Sequence, residues 1–192
     1  MRIVGGTLGG RRFDGPPSDL TRPTSERVRE ALASALDARD AIRDVRVLDL
    51  FAGTGALAFE ALSRGATDAC LVERDPRVVK AAQQSIAALG LGERCVVVRA
   101  DLGAPLASLE RSLFATLRAR GPFGLVFADP PYADIERVPA LLDALVERDL
   151  LTRDATVVLE HRHAQPPGPC TLLASAAVYR YGDTGVRLLT VT

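Results

Sequence analysis

Asp129-Pro130-Pro131-Tyr132 is the stretch of this sequence whose residue types and order point most directly to chemistry. Two consecutive prolines fix φ at both positions and remove both backbone N–H donors. The residue before a proline is pushed toward an extended conformation. What remains is a stiff loop that offers acceptors only, the Asp129 carboxylate and nearby carbonyls, with an aromatic ring following at Tyr132. Such a loop suits an exocyclic amine on a flat base. That nitrogen's lone pair is delocalised into the ring, which makes it a poor nucleophile. Acceptors that hold its N–H protons orient it and favour its pyramidal form. Stacking on Tyr132 grips the base, a contact worth about 1–3 kcal/mol in comparable sites. Positioning that nitrogen for in-line attack can contribute roughly 7–11 kcal/mol. A base inside a helix must first be unstacked or flipped.

A second motif lies about 80 residues earlier. Val47-Leu48-Asp49-Leu50-Phe51-Ala52-Gly53-Thr54-Gly55 reads as a strand running into a glycine-rich turn and then a helix. Glycines let the backbone turn tightly and approach a ligand closely. Gly53-Thr54-Gly55-Ala56-Leu57-Ala58 also fits the GxGxxA dinucleotide fingerprint. Glu73 stands 20 residues past Gly53, where an acid that binds ribose hydroxyls is expected. NAD and S-adenosylmethionine (SAM) therefore compete as cofactor. NAD brings a pyrophosphate, which favours helix N-termini without nearby acids. SAM brings a sulfonium cation and no phosphate. Asp49, Glu73, Asp101 and Asp129 around the site repel the first and tolerate the second. Asp49, at the strand end, could face the methionine portion, and Phe51 and Ala52 stand where a nicotinamide fold usually has a further glycine.

The elements that position these residues follow a repeat. Five short apolar runs each end in an acid: Val45–Asp49, Ala69–Glu73, Cys95–Asp101, Leu125–Asp129 and Thr156–Glu160. Helical patterns lie between them, over Leu57–Leu62, Val78–Leu89, Leu106–Leu117 and Val138–Leu145. Continuous Val- and Leu-rich runs suit parallel strands buried on both faces. The spacing is that of βα units, and ligands bind beyond the carboxyl ends of such strands. Cys170–Tyr181 and Val186–Val191, around Gly182-Asp183-Thr184-Gly185, read as a structural antiparallel hairpin. The expected fold is α/β: a doubly wound, mostly parallel, seven-stranded Rossmann-like sheet with an antiparallel C-terminal hairpin. Residues 1–23 are irregular and form an Arg/Gly-rich arm or hairpin. Residues 24–192 form the catalytic domain, opening with a helix capped by Thr24 or Ser25.

Composition bounds the function. The chain has 192 residues, with 24 Lys+Arg against 24 Asp+Glu and 47% apolar residues. That fits one globular domain and excludes global disorder. Three cysteines without a CxxC argue for reduced, mostly buried thiols and against a zinc site or disulfide framework. His161 and His163 read as a polar rim of the cleft and not as metal ligands, so no metal is expected. No secretory signal and no membrane-length apolar run is found, so the expected location is cytoplasmic. The zero net charge is a cancellation. Residues 1–29 hold six Arg against three acids, and residues 30–192 hold 18 basic and 21 acidic groups. A nucleic-acid partner is therefore compatible with neutrality, with weak non-specific binding.

The chain resembles, over nearly its whole length, the bacterial RsmD-type family that methylates N2 of a guanine in small-subunit (16S) ribosomal RNA. The resemblance rests on Arg2-Ile3-Val4-Gly5-Gly6, Arg22-Pro23-Thr24 with Arg27–Leu32, Asp49–Gly55, Glu60–Ala66, Asp129–Tyr132 and Tyr181–Thr184. It implies SAM contacts from Asp49, Phe51, Gly53, Gly55, Glu73 and Asp101, with Glu73 on the ribose and Asp101 on the adenine amine. It implies that Asp129 and Pro130 accept from the guanine amine, in a loop stiffened by Pro131, while Tyr132 stacks. It places RNA contacts on Arg2, Arg11, Arg12, Arg22, Thr24 and Arg27. It also implies action on rRNA in a partly or fully assembled small subunit, and the chain is expected to be a monomer. With a single Lys in the chain, phosphate contacts fall to Arg. The alternatives are an adenine-N6 methyltransferase of DNA or RNA, since Asp-Pro-Pro-Tyr alone does not separate these, and a protein-glutamine methyltransferase, whose motif is Asn-Pro-Pro-Tyr. More distant are an NAD-dependent oxidoreductase and a non-catalytic RNA-binding module.

Overall fold

The computed structural model describes residues 1–15 and 26–192. Seven strands form one sheet: β1 Arg46–Leu50, β2 Asp68–Glu73, β3 Cys95–Arg99, β4 Phe123–Ala128, β5 Leu151–Arg162, β6 Leu173–Tyr181 and β7 Thr184–Val191. Their order is β3-β2-β1-β4-β5-β7-β6. The first five are parallel, and β7 runs antiparallel between β5 and β6. The expected doubly wound sheet with its antiparallel hairpin is what the chain adopts.

Two apolar layers cover the sheet. Alternate strand residues Val47, Leu71, Leu125, Phe127 and Val158 meet α1 (Glu26–Asp37), α2 (Ala56–Ser63) and α3 (Pro76–Leu89). Their neighbours Leu48, Leu50, Val126, Val157 and Leu159 point the other way. Those meet a helical run made of α4 (Leu106–Leu109), a π-helical turn at Glu110–Phe114 and α5 (Ala115–Arg118), together with α6 (Val138–Glu147). Burial on both faces explains why the strands read as unbroken apolar runs.

Local signals set the helix ends. Asp75 caps α3 by accepting from Arg77 N–H at 2.8 Å, Pro76 follows at the first position, and Gly90 closes the helix at φ 72°. Thr24 and Ser25, the expected caps of α1, lie outside the described residues.

Residues 1–13 fold back on the domain instead of extending from it. Ile3 and Phe13 are buried, and Arg2 and Arg12 form an antiparallel bridge. Val4 N–H donates to Glu60 Oε1 at 2.7 Å, Thr7 N–H to the Ser63 carbonyl at 2.7 Å and Leu8 N–H to Ser63 Oγ at 2.9 Å. The bond to the Ser63 carbonyl satisfies a group that a helix leaves open at its C-terminal end, and the other two engage side chains of the same turn. Glu60 also faces the buried Arg29 guanidinium at 3.6 Å.

Candidate active site

The carboxyl end of the sheet opens into a cleft of about 780 Å³. The strand register explains which side chains reach it. Leu71, Asp49, Phe127 and Val158 lie side by side across β2, β1, β4 and β5. Side chains two residues apart share a face, so Glu73, Asp129 and Glu160 stand one row further out than Asp49. Asp49 is thus embedded between apolar neighbours, and it is 3% exposed. Burial pushes its carboxyl up to about 8, with a contrary pull from the Ala58 N–H and added repulsion from Asp129 and Glu73.

The glycine turn occupies the space above β1. Phe51 and Gly53 adopt positive φ of 60° and 52°, and Gly55 has φ 80°. A Cβ on Gly55 would lie 2.7 Å from Leu71 Cδ2 and 2.8 Å from Phe59 Cζ, so the turn requires glycine there for space as well as for conformation. Glu73 ties the turn to the next loop. Its Oε2 accepts from Gly53 N–H at 3.0 Å, and its Oε1 accepts from Arg74 and Asp75 N–H at 2.7 and 2.9 Å. A carboxylate has about four acceptor positions, which leaves one for a ligand hydroxyl.

One contact separates the two cofactor readings. Asp49 Oδ2 accepts from Ala58 N–H at 3.3 Å, in the first turn of α2. A dinucleotide would direct its pyrophosphate at that helix N-terminus. Here a buried carboxyl stands there instead. The carboxyl acceptors of Asp49 and Glu73 fit a cation-bearing, phosphate-free cofactor, which SAM is.

Asp129-Pro130-Pro131-Tyr132 lines the same cleft. Ala128 pairs with Leu50 on one side and Leu159 on the other, which sets the loop between the glycine turn and Glu160. Asp129 is exposed and Pro130 buried. Tyr132 begins a 3-10 helix, Tyr132–Arg137, and is 53% exposed. The Arg162 guanidinium lies 4.1 Å from its ring centroid. One face of the ring is therefore covered, and a base can stack only on the other.

Not every expected position holds as read. β1 continues one residue past Asp49, and β3 ends at Arg99, so Asp101 stands in the loop beyond, accepting from Gly103 N–H at 3.0 Å. Glu160 does not end its strand, because β7 pairs with β5 as far as Arg162. His161 lines the cleft but is buried, whereas His163 is exposed. Cys70 and Cys95 are buried and Cys170 half-buried, and no metal-binding cluster occurs among the described residues.

The arginines proposed for RNA differ in what they do. Arg11 donates to the carbonyls of Leu89 and Ala88 at 2.9 and 2.8 Å, capping the C-terminal end of α3. Arg2 pairs with Glu26 at 2.8 Å. Arg12 and Arg27 are exposed. Arg22 and Thr24 lie outside the described residues. The residue that sequence reasoning missed is Arg162. Its approach to Tyr132 depends on the long-range pairing of β5 with β7, which no local pattern announces.

Known proteins resemble this chain along its length. The family described as conserved hypothetical protein 95 matches residues 1–190. YlbH of Bacillus subtilis, which carries a provisional rRNA methyltransferase name, is 32% identical over 98% of this chain and 97% of its own. Ribosomal RNA small subunit methyltransferase D of Escherichia coli is 38% identical over 69% of this chain and 60% of its own. The solved structure of Escherichia coli yhhF, provisionally called a methyltransferase, superposes with a TM-score of 0.79 at 30% identity, covering 100% of this chain and 97% of that one. An RNA methyltransferase from Salinibacter ruber, solved with S-adenosyl-L-homocysteine, shares the fold at 17% identity and a TM-score of 0.62, covering 88% of this chain and 94% of that one.

Proposed function

Because the chain belongs to the conserved hypothetical protein 95 family, a family of SAM-dependent methyltransferases that modify rRNA, we propose that it methylates the exocyclic N2 amine of a guanine in small-subunit rRNA. The observation that carries this reading is the adjacency of two halves of one cleft. Asp49, Glu73 and the glycine turn stand over β1 and β2, and Asp129 with its proline loop stands immediately beside them over β4.

When bound, SAM supplies an electrophilic methyl group on a sulfonium cation. The protein's residues do the rest. Asp49 and Glu73 hold the cofactor's cationic and hydroxyl-bearing parts, and Asp101 holds its base. Asp129 and the Pro130 carbonyl accept the two amine protons, so the nitrogen lone pair turns toward the methyl carbon. The nitrogen would take the methyl group as the methyl–sulfur bond breaks to leave a neutral thioether, and the Asp129 carboxylate would offset the positive charge that develops on the nitrogen. The surplus proton leaves through Asp129, which is open to water. The free face of Tyr132 grips the base, and Arg162 fixes the ring from behind. The exposed Arg12 and Arg27, with the arm that carries Arg2 and Arg11, lie where RNA can reach them.

The test is direct. Small subunits from a strain lacking the gene are incubated with the protein and isotope-labelled SAM, and the nucleosides are resolved by mass spectrometry. Label is expected in N2-methylguanosine. Label in N6-methyladenosine, or in protein only, would overturn the reading. Asp129→Ala is expected to lower transfer at least about 100-fold while calorimetry still records cofactor binding. Activity within tenfold of the native protein would refute the amine-acceptor role.

A further inference from the structure

Glu160 is a buried carboxyl of the cleft that neither motif accounts for. It is 4% exposed, and its Oε1 has no hydrogen-bond partner among the described residues. The side chain nonetheless lines the cleft. Its position is fixed on both sides. Leu159 pairs with Ala128 of β4, so Glu160 and Asp129 each follow a paired position on adjacent strands, close enough for the Asp129 charge to act on Glu160. Val186 of β7 pairs with Glu160 on the other side. The next residue, His161, packs its ring on Gly185, where a Cβ would approach Cε1 to 2.4 Å. Its Nε2 is also buried without a partner. Buried polar groups are normally paired, and the unpartnered Glu160 oxygen in a cleft wall marks a place that a ligand completes.

The sheet order says which ligand. Asp49 and Glu73 belong to β1 and β2, on one side of β4, and Glu160 belongs to β5, on the other. Glu160 therefore faces the acceptor base and not the cofactor. Resting on the guanine-N2 reading above, we propose that Glu160 accepts a hydrogen bond from guanine N1–H, beside the amine held by Asp129, and thereby selects guanine over purines that have a C2 amine but no N1 proton.

The edge of guanine presents the C2 amine, N1–H and O6 in that order. An acceptor next to Asp129 meets N1–H. Adenine offers an unprotonated N1 beside its amine, so the same acceptor would face a lone pair. Burial first, then repulsion from Asp129 and Asp49, pushes the Glu160 carboxyl up to about 8. The protonated form has an acceptor for N1–H and a donor for O6, so it matches two successive atoms of the guanine edge. Glutamine presents the same pair of groups.

2-Aminopurine separates this assignment from the reading it rests on, since it keeps the C2 amine and lacks both N1–H and O6. Small subunits reconstituted with guanine or 2-aminopurine at the target position are methylated in single-turnover assays by the native protein, Glu160→Gln and Glu160→Leu. The native protein is expected to prefer guanine at least about 100-fold. Glu160→Gln should keep that preference, and Glu160→Leu should reduce it below about tenfold while S-adenosylhomocysteine binding stays unchanged. Native methylation of 2-aminopurine within tenfold of guanine overturns the proposal without recourse to any variant. So does a Glu160→Leu protein that retains the full preference. If the native protein transfers no methyl to guanine N2, the functional reading falls and this assignment falls with it.

Discussion

Cofactor binding should expel a proton, and Asp49 sets the size of the effect. Burial pushes its carboxyl up to about 8. It is then ionised in about a tenth of molecules at pH 7 and about a hundredth at pH 6. A cation beside it favours the charged form. Below about pH 8 the affinity for SAM should therefore rise about tenfold per pH unit, or ~1.4 kcal/mol. At pH 7 each binding event should release about 0.9 proton. Titration calorimetry at pH 6.0, 6.5, 7.0 and 7.5, in two buffers of different ionisation enthalpy, measures both quantities. Asp49→Asn cannot ionise, so its affinity should be flat over that range with little proton release. A native affinity that changes less than twofold from pH 6 to 7, or an Asp49→Asn slope equal to the native one, would refute the reasoning.

Other outcomes follow from the same geometry. Asp49 and Glu160 both have folded values raised to about 8. Between their unfolded values, about 4, and pH 8 the folded state holds protons that the unfolded chain has released. Stability should thus fall as pH rises from 5 to 8, and thermal melts of Asp49→Asn should show a shallower fall. Gly55→Ala forces a Cβ against Leu71 and Phe59 at a positive φ. It should cost about 1–3 kcal/mol from overpacking alone, read by urea denaturation, and weaken cofactor binding. Arg11→Ala should lose about 1 kcal/mol of stability, since it removes two hydrogen bonds to α3. Arg12→Ala should leave the melting temperature unchanged and lower RNA affinity, measured by filter binding.

Much of the candidate site was legible because its residues sit close together along the chain. Asp129 through Tyr132 and Asp49 through Gly55 are contiguous, and a strand–turn–helix pattern announces where each will lie. What escaped was set by pairing between distant segments. The acid of the fifth run reads as a strand end, yet β5 continues to Arg162 because Thr184 of β7 pairs there. That extension brings Arg162 over Tyr132 and leaves Glu160 walled in. Arg11 reads as a free basic residue, and it caps a helix more than 75 positions away. The apolar pattern over Leu106–Leu117 suggests a uniform helix, but the structure widens one turn at Glu110–Phe114. Glu110 there pairs with Arg118 and Arg148, both at 2.6 Å.

Helix α2 is held at both ends. Its first turn carries Ala58, bonded to Asp49, and its last carries Glu60 and Ser63, gripped by residues 4–8. Eight residues span only about 12 Å, so the strut joining the cofactor turn to the N-terminal arm is short and rigid. Linkage through such a strut is reciprocal. Whatever factor RNA on the arm applies to cofactor affinity, bound cofactor applies to RNA affinity. A comparison of SAM affinity with and without RNA then measures, from the small-molecule side, the coupling between the cofactor turn and the RNA site proposed on the arm.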